Sequence, residues 1–562
     1  MNNLCKFVAI SNINPNSMIK MKTVSKHFVK ILACVAFALT LYSCGGGERS
    51  VSSRIDNVVP DNADLIYAGN IQRAFDQLDI KVSGGKLVLP QYMWDIIDVA
   101  GRNMSDQVED RLEEFKGIDY NSIVVAARKK GDDVNVIVNF GVSDVDALYD
   151  FVSEYSPMID LDRTEGYQTL GTSDGEILIK DGEAYVVIQD GEALSGKHAV
   201  RAVERWMSDA SEKPLATWKR DYLTRQSVSA LWVSSNFLQA VLPSYTWKEM
   251  SKTFDNIPGV SLKNLSLGHS ADLDGDKATA NITVFNGDKV MKTPVGGTFD
   301  TDLLKYACKK DMLAFGCAAN TLAFNLIRSS LNDEFDSSIN YYRQELDEAN
   351  ERAQYMDEDD YYSYYYTPQY IEENLRIYTS LREAINNLMD CLSGSAIITM
   401  GPTTDDMELF VNNPQENLHV CIAGACKPNK AKQAVDAAFD ILQNSFDKEY
   451  FWKLPDGFKL SVEDETVYFQ ADGNNIVINY GEREGAGDGK FDKSVFADSW
   501  VAGQYLMPEK TELMNGIELP FGVSAWGKGN EMSFDFEMKL NGAKGNFVPA
   551  IVNAALEVMH NF

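Results

Sequence analysis

The chain has 562 residues, an apolar fraction of 45% and an aromatic fraction of 11%, a composition that buries proper cores and argues against disorder. At a prior of about 150 residues per domain it holds two to four domains, or two large ones. Lys and Arg number 52 against 82 Asp and Glu, a net charge of −30; with no basic cluster in view, such a field argues against any nucleic-acid partner.

Residues 1–20 are polar and precede a second methionine, Met21, the expected true start. From there the chain reads "MKTVSKHFVKILACVAFALTLYSC", with Lys22, Lys26 and Lys30 ahead of an apolar run over residues 31–42. A bilayer span takes about 20 apolar residues. This run falls short, so residues 1–43 read as a signal peptide. They carry five lysines and no acid, leaving the remainder at −35. The "GGGERSVSS" that follows has nothing to pack and reads as a tether over residues 44–58.

Leu41, Tyr42, Ser43 and Cys44 resemble the lipobox of bacterial lipoproteins. The resemblance implies that Cys44 is lipidated and becomes the mature N-terminus. Two or more acyl chains, at about 0.8 kcal/mol per buried CH₂, then hold the body stably on a membrane. The thiols left in the body are Cys308, Cys317, Cys391, Cys421 and Cys426. They are too few for a disulfide framework, and buried small hydrophobes is their expected role, although pairing of Cys421 with Cys426 or Cys308 with Cys317 stays open. "CIAGAC" has no second Cys or His pair near it for zinc.

The body reads as one pattern written twice. "KDGEAYVVIQDGE" (180–192) matches "ADGNNIVINYGE" (471–482), and Asp-Gly between apolar runs signals a hairpin. Upstream of the first, "VNVIVNFGVSDVDALYDFV" reads as a strand and then a helix capped by Ser143. Upstream of the second, "LHVCIAGACKPNKAKQAVDAAFDIL" repeats strand then helix, opening near Pro428. Downstream, residues 260–289 and 517–544 are each a long hairpin; in the latter Met532, Phe534, Phe536, Met538 and Leu540 alternate with polar residues, which predicts a sheet with one face buried. The fold class expected is α+β: two tandem related halves, residues 59–298 and 299–562, each a largely antiparallel sheet with helices on one face.

The second half carries an insertion at residues 333–392 that reads as a helical hairpin. Its tip is rich in Tyr and acid, and Tyr361, Tyr362, Tyr364, Tyr365 and Tyr366 are the candidate partner contacts, because Tyr gives rigid amphipathic area. Chemistry is sparse. His198, His269, His419 and His560 stand alone, without HExxH or paired spacing, and each is expected to be structural. There is no GxSxG elbow, P-loop or GxGxxG in a strand-to-helix context. "DLDGD" (Asp272, Asp274, Asp276) departs from the calcium-loop pattern at Lys277 and Thr283 and suits a hairpin turn. No metal ligands, cofactor or catalytic residues are nominated.

With the lipobox, the opening "VVPDNADLIYAGN", with Pro60, Ala63 and Asn70, resembles a family of uncharacterised Bacteroidetes lipoproteins of about 500 residues. The resemblance implies an envelope location, in the outer membrane, and no activity. "GGGERS" lacks the acidic run that resembles a surface-export signal, so the periplasmic face is expected. The expected function is a non-catalytic, membrane-anchored envelope lipoprotein binding a protein or glycan partner. The alternative is an envelope glycan hydrolase using paired carboxylates.

Overall fold

The computed structural model describes residues 50–83, 86–95, 117–131, 133–155, 160–172, 175–255, 261–353, 367–414, 416–462, 465–481, 487, 489–506, 512–513, 517–518, 521–540 and 546–551. The leader, Leu41, Tyr42, Ser43 and Cys44, and the tyrosines Tyr361, Tyr362, Tyr364, Tyr365 and Tyr366 lie outside the described residues. The chain forms two compact units, one ending at Met291 and joined by residues 542–562, the other running from Lys292 to Asn541. The boundary therefore falls ahead of residue 298, and the C-terminal segment groups with the first unit: Phe547 N–H donates to Gly275 O at 2.7 Å.

In the first unit the main strands are β1 (Leu65–Asn70), β2 (Ile118–Lys130), β3 (Asp133–Val142), β4 (Asp160–Thr164), β5 (Tyr167–Thr172), β6 (Gly175–Lys180), β7 (Glu183–Gln189), β8 (Ser229–Ser234), β9 (Leu265–Asp274) and β10 (Lys277–Asn286). Every neighbouring pair is antiparallel, in the order β4-β5-β6-β7-β3-β2-β1-β8-β9-β10. The second unit has β11 (Leu313–Ala318), β12 (Leu392–Pro402), β13 (Leu418–Cys426), β14 (Phe451–Leu454), β15 (Gly457–Val462), β16 (Glu465–Asp472), β17 (Asn475–Tyr480), β18 (Ser499–Leu506), β19 (Phe521–Lys528) and β20 (Ser533–Leu540). Its order is β14-β15-β16-β17-β13-β12-β11-β18-β19-β20, again antiparallel throughout. The fold is α+β, and the two units share one strand order.

Helices cover both faces of the first sheet, where one face was expected. The register row Val187, Ile137, Ala126, Ile66, Trp232 is buried beneath α1 (Val51–Val58), α4 (Gly196–Glu212) and α5 (Thr217–Leu223). The neighbouring row, with Val136, Ala127, Leu65 and Val233, is buried beneath α2 (Ile71–Leu78), α3 (Val145–Tyr155) and α6 (Ser235–Val241). Strands such as "SIVVAA" are apolar at consecutive positions, so both pleat faces need cover. The cap of α3 also moves: Asp144 Oδ1, and not Ser143, accepts from the N–H groups of Asp146 and Ala147.

The tether is shorter than expected, because α1 lies within residues 44–58. Ser50 caps it by accepting from Ser53 N–H at 3.3 Å, and Ile55 and Val58 are wholly buried. Arg54 is buried with them. Its Nε donates to Glu183 on β7 at 2.9 Å, one Nη to Asp119 on β2 at 3.0 Å and the other to Ser122 O at 2.6 Å. Asn139 on β3 adds a 2.9 Å bond to Glu183. A Cβ on Gly141 would fall 2.3 Å from the guanidinium, so β3 needs glycine there.

In the second unit, a 3-10 turn at Thr301–Tyr306 and α10 (Lys493–Phe496) cover one face, setting Phe299, Leu303, Phe491 and Phe496 on the small residues Ala314, Cys421, Ala423 and Ala502. The helical hairpin is α7 (Thr321–Ala353) and α8 (Pro368–Cys391), so its first arm starts well before residue 333. The arms meet through Phe335 and Tyr342 on Tyr378 and an Arg382–Asp336 pair at 3.1 Å. Helix α9 (Ala431–Leu442) covers the β15–β17 wing of the other face with Ala434, Val435 and Ala438. The 471–482 hairpin turns one residue later than its counterpart. Asp472 pairs with Asn475 around Gly473, whereas Lys180 pairs with Glu183 around Asp181 and Gly182.

No disulfide joins the five thiols; Cys317 is exposed and the other four are buried. Burial pushes the Cys426 thiol up to about 11. In the native protein iodoacetamide at neutral pH should label Cys317 first and Cys426 only after unfolding, read by peptide mass. Replacing Arg54 with Met should cost about 3–5 kcal/mol in a denaturant titration, because Asp119 and Glu183 are left buried without their cation.

Candidate functional site

The segment that follows Tyr306 is held at both ends. The Tyr306 hydroxyl donates to Asp472 Oδ2 at 2.7 Å and accepts from Asn475 Nδ2 at 3.0 Å; burial, first, and then the Asp472 bond raise its pKa. Two residues on, Cys308 to Asp311 make a closed turn: Asp311 N–H donates to Cys308 O at 3.1 Å, and Cys308 N–H donates to Asp311 Oδ2 at 2.7 Å. The turn lies against β12 because position 401 is glycine. A Cβ there would stand 2.4 Å from Lys310 O and 2.6 Å from Asp311 Cα.

Across the ladder from Gly401 is His419, at the start of β13. Its Nδ1 is 3.2 Å from Asp311 Oδ1. An ionised carboxylate only accepts, so Nδ1 carries the proton facing Asp311, and in the neutral imidazole Nε2 presents its lone pair. Nε2 is buried and has no hydrogen-bond partner among the described residues. One donor atom from each of Cys308, Asp311 and His419 lies within 4.8 Å of the others, and all three residues are buried. They line a cavity of about 240 Å³ together with Lys310, Thr403 and exposed Glu416. Lys310 is anchored at the rim through Thr403 O at 3.1 Å and Asp405 at 3.3 Å.

His419 was expected to stand alone and does not. The turn brings Cys308 and Asp311 to it from more than a hundred residues away, so no local spacing reports the cluster. Thiol, imidazole and carboxylate in reach of one another suit two chemistries: a thiolate nucleophile with its base, or a donor set for a soft or borderline metal ion. Asp272 is paired to Arg73 at 2.6 and 2.7 Å, and Gly275 turns the hairpin at φ +58°.

A second feature of this unit is an open apolar surface. One register row runs Phe536, Ala525, Gly503, Phe315, Ile398, Ile422, Ile478, Phe469, Phe458 across β20 to β15. Beneath α9 it is covered, with Phe458 and Phe469 buried. Away from α9 it is bare: Phe315 is 45%, Phe536 39% and Ile422 37% exposed. The alternation in β20 therefore does not mark a buried face, since Phe536 lies open while Leu540 is buried. On the opposite face, Trp452 and Tyr468 flank Lys459 in a cross-strand row and both rings are exposed.

Replacing Gly401 with Ala should cost about 1–3 kcal/mol in a denaturant melt, because the added methyl overpacks the turn against β12. No protein-family model and no curated protein matches the chain. Among solved structures it is similar to three crystal forms of TP0453. Form III is 9% identical, covering 44% of this chain and 84% of that one at a TM-score of 0.25. Form IV is 10% identical over 40% and 80% at 0.24, and form I is 10% identical over 42% and 79% at 0.22. At scores this low the likeness carries no functional argument.

Proposed function

We propose that the chain is a non-catalytic envelope lipoprotein, anchored through Cys44 at the periplasmic face of the outer membrane, that docks a protein partner on the bare apolar face of its second unit. The observation that carries this is the exposed row of Phe315, Ile422 and Phe536, with Ile398 between the first two. Contiguous exposed apolar surface on a globular body marks an interaction site. Between Phe315 and Phe536 the row holds only Gly503 and Ala525, a trough three strand spacings wide, roughly 14 Å. That width accommodates an amphipathic helix of about 10–12 Å. The shared strand order supports reading the body as a duplicated unit whose second copy has given up one cover.

A glycan partner is favoured by a separate observation, the exposed Trp452 and Tyr468 set two strands apart around Lys459. Aromatic rings stack on sugar faces and the intervening Lys supplies a hydrogen-bond donor. The hydrolase reading gains nothing comparable. The buried carboxylates Asp119 and Glu183 come together on Arg54, which holds both.

A photo-crosslinking residue placed at 315 or 536 in the native host should capture one and the same protein, and Phe315→Asp should reduce its co-purification at least about tenfold, a loss of roughly 1.4 kcal/mol. Adducts to polysaccharide from position 452, with none from 315 or 536, would replace the protein partner by a glycan. Absence of acyl chains on Cys44 in the intact-mass spectrum would remove the anchor.

A further inference from the structure

We propose that Cys308 and His419, oriented by Asp311, form a binding site for a borderline divalent cation, with Zn²⁺ the best match to the donors. Among the described residues His419 Nε2 has no hydrogen-bond partner, on a residue only 3% exposed. A buried polar atom left without a partner costs about 1–3 kcal/mol, so such an atom on a cavity wall points to a ligand. The lone pair sits on Nε2 because Asp311 holds the Nδ1 proton at 3.2 Å. This carboxylate–imidazole pairing is the one that orients histidine toward a metal and raises its basicity.

The remaining donors select the ion. The thiol of Cys308 belongs to the same cluster, within 4.8 Å of a donor atom of each other member. Thiolate and imidazole favour Zn²⁺, whereas Ca²⁺ and Mg²⁺ call for oxygen ligands throughout. Binding expels the thiol proton to solvent, and the cation neutralises the thiolate that results. Glu416, exposed on the cavity lining, and one water complete a four-coordinate shell around the ion held by Cys308 and His419. The nucleophile reading is the weaker one, since Cys308 is 3% exposed and a substrate carbonyl must reach the sulfur, while a bare cation fits within the cavity. This site is independent of the apolar docking face.

The test is a Co²⁺ titration of the full chain, reduced and stripped with chelator. One equivalent should give a near-ultraviolet thiolate charge-transfer band that Zn²⁺ bleaches. Cys308→Ser should abolish that band, Asp311→Asn should keep it while weakening affinity about 10- to 100-fold, and Cys317→Ser should change nothing. No band in the wild-type chain, or a band that survives Cys308→Ser, overturns the site. If Cys308→Ser fails to fold by circular dichroism, X-ray absorption of the Zn²⁺-loaded wild-type chain decides. One sulfur among nitrogen and oxygen neighbours supports the assignment, and none, or two or more, refutes it.

Discussion

An antiparallel ladder sends alternate side chains to opposite faces, so every strand that is apolar at consecutive positions creates two surfaces to be removed from water. The rest of the molecule answers that constraint. In the first unit it is met by helices on both sides, and the α1 side is pinned by Arg54, whose guanidinium reaches β2 and β7 while Gly141 on β3 leaves it room. A charge this deep is tolerable because its hydrogen bonds are filled by Asp119, Glu183 and Ser122, and removing Arg54 would leave both carboxylates stranded.

The second unit has the same ladder and a different answer. The helix after its first strand does not stay short, as α2 does after β1; α7 runs for 33 residues and packs on α8. Among the described residues, the β15–β17 wing keeps its cover under α9. Phe315, Ile422 and Phe536 are left facing water, while on the opposite face of the same strands Ala314, Cys421, Ala423 and Ala502 are packed beneath Phe299, Leu303 and Phe496. The uncovered patch thus follows from where a helix goes, and the residues on it are those any apolar ladder would carry.

The polar cluster at the end of β13 arises from close backbone approach. Asp311 uses both carboxylate oxygens, one to close its own turn and one to fix the His419 tautomer. Gly401 lets that turn touch the sheet, and Tyr306 anchors the segment leading into it. Asp311 and Gly401 each have a structural task, and among the described residues Nε2 of His419 is left without a partner.

The strands, the paired hairpins and the helical insertion were legible in the amino-acid pattern because they depend on period, turn residues and caps, all local properties. Asp181-Gly182, the "VNVIVNF" run and Thr367-Pro368 each act within a few residues. Local pattern misled where it was asked about cover: β20 alternates as a buried strand would, but Phe536 stays 39% exposed. It was silent where side chains meet from far apart in the chain, since Cys308 and His419 carry no mutual spacing until the turn at 308–311 meets the start of β13. By itself the sequence determined which segments form ladders and helices, because backbone conformation answers to near neighbours. Only the tertiary structure decided which apolar faces stay wet and which buried groups meet, because burial and encounter depend on where remote segments pack.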